Sequence, residues 1–154
     1  MGNNTISEYL SYLHDAYLIF PLNNFASSFT EREVKKKYYF IDPGILNLFI
    51  TDQDSKLLEN IVFLHLFQRY KDKIYYFKRK TEVDFFIPNE QMLVQVSYSL
   101  SDIEIKQREL SALSAAMKEL NIKQAAIITY DEESRIETEN RTIRVIPIWK
   151  WLLQ

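Results

Sequence analysis

The stretch that decides the fold is Glu82 to Tyr98, EVDFFIPNEQMLVQVSY. Two apolar, β-rich runs flank a polar turn at Asn89 and Glu90, the pattern of a β-hairpin. Side chains two apart in a strand share a face. Glu82 and Asp84 are therefore expected on one face, with Val83 and Phe85 on the other. Gln95 and Ser97 likewise share a face, opposite Val94, Val96 and Tyr98. Closing the hairpin would bring Asp84 and Gln95 toward one point.

Working outward, Ile74–Lys78 reads as a third strand ahead of this hairpin. Before it, Ser55 to about Tyr70 has helical spacing, with Leu57, Leu58, Ile61, Val62, His65 and Leu66 near one face. Glu59, one turn inside that helix, could reach the same edge of the sheet. After the hairpin, Ser101-x-x-Glu104 is a capping box opening a long helix to about Leu120. "AAIITY" (125–130) is a buried-strand run, "TIRVIPI" (142–148) another strand, and "WKWLL" (149–153) a short helix or packed tail anchored by Trp149 and Trp151. From Ser55 the order is α-β-β-β-α-β-β, a mixed sheet flanked by helices in an α/β fold.

The first 50 residues read differently. Thr5-x-x-Glu8 is a capping box ahead of a helix from Ile6 to Asp15. "AYLIF" (16–20) and "YYFID" (38–42) form a hairpin joined by the polar "TEREVKKK" (30–37). A turn at Asp42–Gly44, a short helix "ILNLF" and a boundary at "TDQDS" follow. Helix then hairpin resembles the second half of a winged-helix unit, so the chain divides into a partial winged-helix segment (1–50) and an α/β domain (51–154). It begins as a fragment of such a unit would.

With 154 residues, 47% of them hydrophobic and 14% aromatic, the chain can build a substantial core. Cysteine is absent, which removes disulfides, thiolate metal sites and cysteine nucleophiles and fits a reducing cytoplasm. The start carries no signal-peptide pattern and the apolar runs are too short to span a bilayer, so a soluble, cytoplasmic protein with no membrane partner is expected. A net charge of −2 leaves no global footprint for DNA. Locally, Lys35–Lys37 form one basic cluster, Lys71, Lys73, Lys78, Arg79 and Lys80 a second, and Asp131, Glu132, Glu133, Glu137 and Glu139 an acidic loop. Tyr38, Tyr39, Phe40, Tyr75, Tyr76 and Phe77 read as core rather than as a base-stacking platform. His14 and His65 lack metal-ligand spacing.

Two carboxylates, an amide and a hydroxyl at this spacing invite comparison with metal-assisted phosphodiester chemistry. Mg2+ takes hard oxygen ligands, and hydrolysis needs an activated water plus positive charge at the phosphate. Asp84 and Glu59 are candidate metal ligands. Gln95 offers only a neutral carbonyl, and Ser97 no positive charge.

The segments "NTISEYLSYLHDAYLIF", "KKYYFIDPGILN", "LLENIVFLHLFQR", "YYFKRKTEVDFFI" and "LVQVSYSL" resemble the C-terminal domain of unknown function four-one-four-three of bacterial and archaeal AAA-type ATPases. That domain is similar to the PD-(D/E)xK restriction-endonuclease-like fold, whose core runs α-β-β-β-α-β. The resemblance places Glu59 at the helix acid and Asp84 at the first strand acid. Gln95 falls where the motif has Glu or Asp, and Ser97 falls in the lysine position, with Lys80 and Lys106 as candidates for a relocated lysine. No G-x-x-x-x-G-K-[ST] occurs, so the chain carries no ATP site.

The resemblance implies a non-catalytic or degenerate nuclease-like accessory domain of such an ATPase. It would bind DNA through Lys78, Arg79 and Lys80, or else a protein partner. The alternatives are a Mg2+-dependent DNA endonuclease and a structural module pairing with itself as a dimer.

Overall fold

The computed structural model describes residues 3–28, 31, 35–48, 53–138 and 140–154. Thr30, Arg32 to Val34, Phe49, the Thr51–Asp52 start of the boundary segment and Glu139 lie outside them. The elements are α1 (Asn3–Asp15), β1 (Ile19–Asn23), β2 (Lys36–Phe40), α2 (Pro43–Asn47), α3 (Gln53–Tyr70), β3 (Tyr75–Lys78), β4 (Glu82–Ile87), β5 (Met92–Val96), α4 (Ile103–Glu119), β6 (Gln124–Thr129), β7 (Ser134–Thr138), β8 (Arg141–Pro147) and α5 (Ile148–Trp151).

Strands β1 and β2 pair antiparallel as a separate hairpin, and the other six form one mixed sheet in the order β3-β4-β5-β6-β8-β7. The parallel pairs are β5–β6 and β6–β8. Helices cover both faces. On one side α3 contributes Val62, Phe63 and Leu66 to a core with Phe85, Ile87, Val94, Ile128 and Trp151. On the other, α4 packs Leu113, Ala116 and Met117 against Val83, Phe86, Leu93, Ile127 and Val145. Parallel strands buried on both faces carry near-continuous apolar runs, and the "AAII" of β6 is one.

Several local expectations give way to the tertiary structure. Helix α1 already runs through Thr5, which therefore sits inside the helix rather than at its cap. The cap of α4 is Asp102, not Ser101. Its Oδ1 accepts from the N–H groups of Glu104 (2.8 Å) and Ile105 (3.1 Å), and a carboxylate there also suits the helix dipole. The Asp42–Gly44 turn is the start of α2, capped by Asp42. Of the two tryptophans it is Trp151 that anchors the tail, at 7% exposure and with Ile148 packed on the same core, whereas Trp149 is 58% exposed. Strand β7 falls in the segment read as an acidic loop and places Glu137 in a strand. Its "SRIET" has one apolar side chain, the charged and exposed composition that protects a sheet edge.

The hairpin β1–β2 is tied to the rest of the fold by two buried asparagines, Asn24 to the edge of the large sheet and Asn60 to α3. Asn24 receives the Lys78 N–H (3.0 Å) and donates to the Lys78 carbonyl (2.9 Å), extending the β3 edge. Asn60, 1% exposed on α3, accepts from the Phe40 N–H (2.8 Å) and donates to the Phe40 carbonyl (2.9 Å). In both cases an amide replaces a strand neighbour, so these backbone groups stay satisfied where no ladder continues. Among the described residues, no helix is long and apolar enough to cross a membrane.

A carboxylate site closed by Lys37

The register between β3 and β4 slips by one residue: Tyr75 faces Phe86, but Phe77 faces Val83. Strict alternation therefore breaks at Asp84. Val83 joins the α4-side core and Phe85 the α3-side core, correcting the expectation that the two share a face. Such irregularities re-aim side chains at sheet edges. Here Glu82 and Asp84 still meet, because both carboxylates turn to one ammonium group.

That group is Lys37, from β2. Its Nζ lies 2.8 Å from Glu82 Oε1, 3.1 Å from Asp84 Oδ1 and 3.3 Å from Glu59 Oε1. The Tyr39 hydroxyl donates to the same Glu59 oxygen at 2.7 Å, and Lys56 reaches Glu59 Oε2 at 3.1 Å. Lys78 holds the second oxygen of Glu82 at 2.7 Å. Three carboxylates thus face three ammonium groups, with Lys37 the shared, half-buried one. Glu59 and Asp84 are each only 8% exposed. Lys80 and Lys106, the positions expected to donate a relocated lysine, are both exposed.

The remaining valences around Asp84 are filled by the opposite strand. Asp84 Oδ2 accepts from the Val96 N–H (2.9 Å), and the Asp84 N–H donates to Gln95 Oε1 (3.1 Å). The other end of the Gln95 amide donates to Glu109 Oε2 at 2.7 Å, and Arg108 binds the second Glu109 oxygen at 2.7 Å. Asp84 and Gln95 therefore stand side by side, joined through backbone and amide. Ser97 is buried but turned away, its Oγ donating to the Ser99 carbonyl at 3.0 Å. A cleft of about 420 Å³ opens beside Glu82, Asp84, Gln95 and Glu109.

Electrostatics follow from this packing. Burial raises the Asp84 pKa, and the neighbouring Glu59 charge adds to it. Lys37 and the Val96 N–H offset part of this, leaving the carboxyl pushed up to about 6. Burial also opposes ionisation of Glu59, but Lys37, Lys56 and Tyr39 outweigh it and hold Glu59 below the usual glutamate range. Burial would lower the Lys37 pKa, yet Asp84, Glu59 and Glu82 together raise it.

Because the folded Asp84 binds its proton more tightly than an unfolded aspartate at 3.8, its contribution to stability is fully present below that value and lost as pH rises through about 6. Denaturant unfolding of wild type and Asp84→Asn should therefore diverge as pH is lowered. The wild type gains roughly 1 kcal/mol relative to the variant between pH 7 and pH 5. The difference between the two proteins cancels His65, whose depressed pKa acts oppositely in that range. Parallel pH profiles would show that Asp84 is not the group titrating.

Asp84 and Glu59 could hold a divalent ion only with Lys37 moved aside, since the ammonium occupies the point where their oxygens converge. Among the described residues, no three His, Cys, Asp or Glu side chains are grouped to bind a metal. Of the expected nucleic-acid contacts, Lys78 pairs with Glu82 and Arg79 with Glu119 at 2.6 Å.

From the sequence, Lys37 reads only as part of a basic cluster and Tyr39 only as core, and Asn60 and Glu109 are not singled out. Period-two spacing in "KKYYF" does place Lys37 on the face of Tyr39, and Glu109 falls in the buried stripe with Leu113, Ala116 and Met117.

Comparison with known proteins divides the chain close to the start of α3. A family model described as Domain of unknown function (DUF8612) matches residues 1–57. One described as Domain of unknown function (DUF4143) matches residues 54–151. Lys37 and Tyr39 thus come from the first region and Glu59, Glu82 and Asp84 from the second. The chain is similar to "Uncharacterized protein MJ1544" of Methanocaldococcus jannaschii, 39% identical over 166 aligned positions that cover 99% of this chain and 37% of that protein. It spans little more than a third of that relative's length. No solved structure matches it. By the match that runs from the first turns of α3 to the last residue of α5, the chain belongs to the family of the Domain of unknown function (DUF4143).

Proposed function

We propose that this chain is a nuclease-like domain whose acid site serves architecture rather than hydrolysis. It would work as the C-terminal accessory module of an AAA-type ATPase, binding DNA or a protein partner. One observation carries the reading: the site's polar groups are satisfied inside the protein. Lys37 bridges Asp84, Glu59 and Glu82, Lys56 and Lys78 supply the two further positive charges, and both ends of the Gln95 amide are engaged. The element order from α3 to β6 supports a PD-(D/E)xK-like frame, and α1 with β1–β2 supports a partial winged helix. These are likenesses of architecture, and fold alone does not assign chemistry.

The test is cleavage. Plasmid and linear DNA incubated with Mg2+ or Mn2+ should remain intact to the level of an Asp84→Ala control. Cleavage abolished by that control would sink the reading. A quiet wild type together with an active Gln95→Glu/Ser97→Lys double variant would strengthen it. A second reading is favoured by one distance, the 3.1 Å from Lys37 Nζ to Asp84. It makes Lys37 the relocated lysine of a Mg2+-dependent endonuclease, and it requires activity that both Asp84→Ala and Lys37→Met remove.

A further inference from the structure

The two basic clusters of the sequence meet in space. Lys35 and Lys36, at the start of β2, and Lys78 and Arg79, at the end of β3, line one cleft of about 590 Å³. Its floor includes Asn24 and Tyr76, the residues that join the hairpin to the sheet edge. The cleft is thus a product of docking β1–β2 against β3. Among the described residues lining it, Glu31 is the acidic member; its Oε2 accepts from the Ser28 N–H at 3.2 Å and the Ser28 hydroxyl at 3.1 Å, which keeps it ionised, so the cleft sets one negative charge against four positive ones.

Lys78 belongs to both this cleft and the carboxylate site. Its Nζ holds Glu82 Oε2 at 2.7 Å, while Glu82 Oε1 holds Lys37, which in turn holds Asp84 and Glu59. Lys78 is exposed, so a competing anion can draw it off at little cost, whereas Glu82 retains Lys37.

We propose that this cleft binds the phosphodiester backbone of a nucleic acid, with Lys35, Lys36, Lys78 and Arg79 contacting phosphates and with Glu82 and Glu119 acting as the internal anions that phosphate displaces from Lys78 and Arg79. The inference deepens the DNA-binding half of the function proposed above and rests on it. Four cations along a cleft suit a repeating anion better than a single carboxylate, and backbone contacts of this kind require no base reading.

The experiment is fluorescence anisotropy of the full chain with labelled duplex and single-stranded DNA, in EDTA to keep any nuclease silent. A poly-glutamate peptide serves as competitor. Up to four phosphate contacts predict roughly a 100-fold loss of affinity between 50 and 200 mM salt. Lys35→Ala/Lys36→Ala should reduce the salt slope by about 2, and Arg79→Ala by about 1, on both probes or on the one that binds. Glu82→Gln should tighten binding several-fold by releasing Lys78. Circular dichroism and thermal melting confirm that each variant is folded, and Arg79→Ala stands alone if the double variant is not.

No binding by the wild type, salt-independent binding, competition by poly-glutamate at equal charge, or variants with unchanged slopes would each overturn the inference. The cleavage assay separates the two readings. DNA binding with cleavage keeps the cleft and removes the accessory reading. No DNA binding without cleavage removes the cleft and leaves a protein partner.

Discussion

Replacing Lys37 with methionine is expected to cost about 3–5 kcal/mol of folding stability, read by denaturant unfolding at pH 7. Its ammonium lies within 3.3 Å of Glu59, Glu82 and Asp84. Removing it leaves two nearly buried carboxylates facing each other, with only the exposed Lys56 still paired to Glu59 and, among the described residues, no cation on Asp84. Breaking a buried pair costs far more than the pair contributes when intact, because the remaining charge stays desolvated. The Asp84 carboxyl should also titrate above its value of about 6 in the wild type, since the group that favoured its anion is gone. Adding Glu59→Gln and Asp84→Asn to Lys37→Met should recover most of the loss, because neutral amides no longer need a cation. A loss below about 1 kcal/mol, the range of an exposed ion pair, would mean that Lys37 is solvated and not the centre of the site.

The second large effect is expected at Phe63. Truncation to alanine should destabilise by about 3–5 kcal/mol, the usual range for a buried aromatic. Phe63 is 1% exposed. Its ring stacks on Tyr39 of the hairpin, with centroids 4.2 Å apart and planes 8° apart, and lies 6.4 Å from Phe85 of the sheet and 6.4 Å from Phe20 of β1. One side chain on α3 therefore joins the hairpin to the sheet directly behind Glu59 and Asp84. The cavity left by alanine would sit beneath Tyr39, whose hydroxyl holds Glu59, so near-ultraviolet dichroism of the tyrosines should weaken as stability falls. Phe63→Leu keeps most of the volume and should cost clearly less. Equal losses for the two variants would show that packing volume is not the cause.

The site was legible in part, for reasons tied to distance along the chain. Asp84 and Gln95 are linked by a four-residue connection between paired strands, so strand periodicity and turn residues bring them together. Glu59 stood out because it lies early in the helix that precedes the strands and because the family resemblance places it at the helix acid. Lys37 could not be assigned in this way. It is 22 residues from Glu59 and 47 from Asp84, and in the sequence it is the third lysine of a polar run, indistinguishable from a solvated one. The same holds for the basic cleft, where Lys35 and Lys36 meet Lys78 and Arg79 only because Asn24 holds the hairpin to the sheet edge and Asn60 holds it to α3.

By itself, the amino-acid sequence determined what is local: the helices, the β4–β5 hairpin, the α-β-β-β-α-β order and the pairing of Asp84 with Gln95. These follow from periodicity and turn chemistry over a few residues. The tertiary structure alone decided what fills the site. A register slip re-aims Asp84, two buried amides dock the hairpin, and the docking delivers one ammonium to three carboxylates. Burial raises the cost of an uncompensated charge, so this choice rests on which distant residue reaches the site rather than on the residues that form its strands.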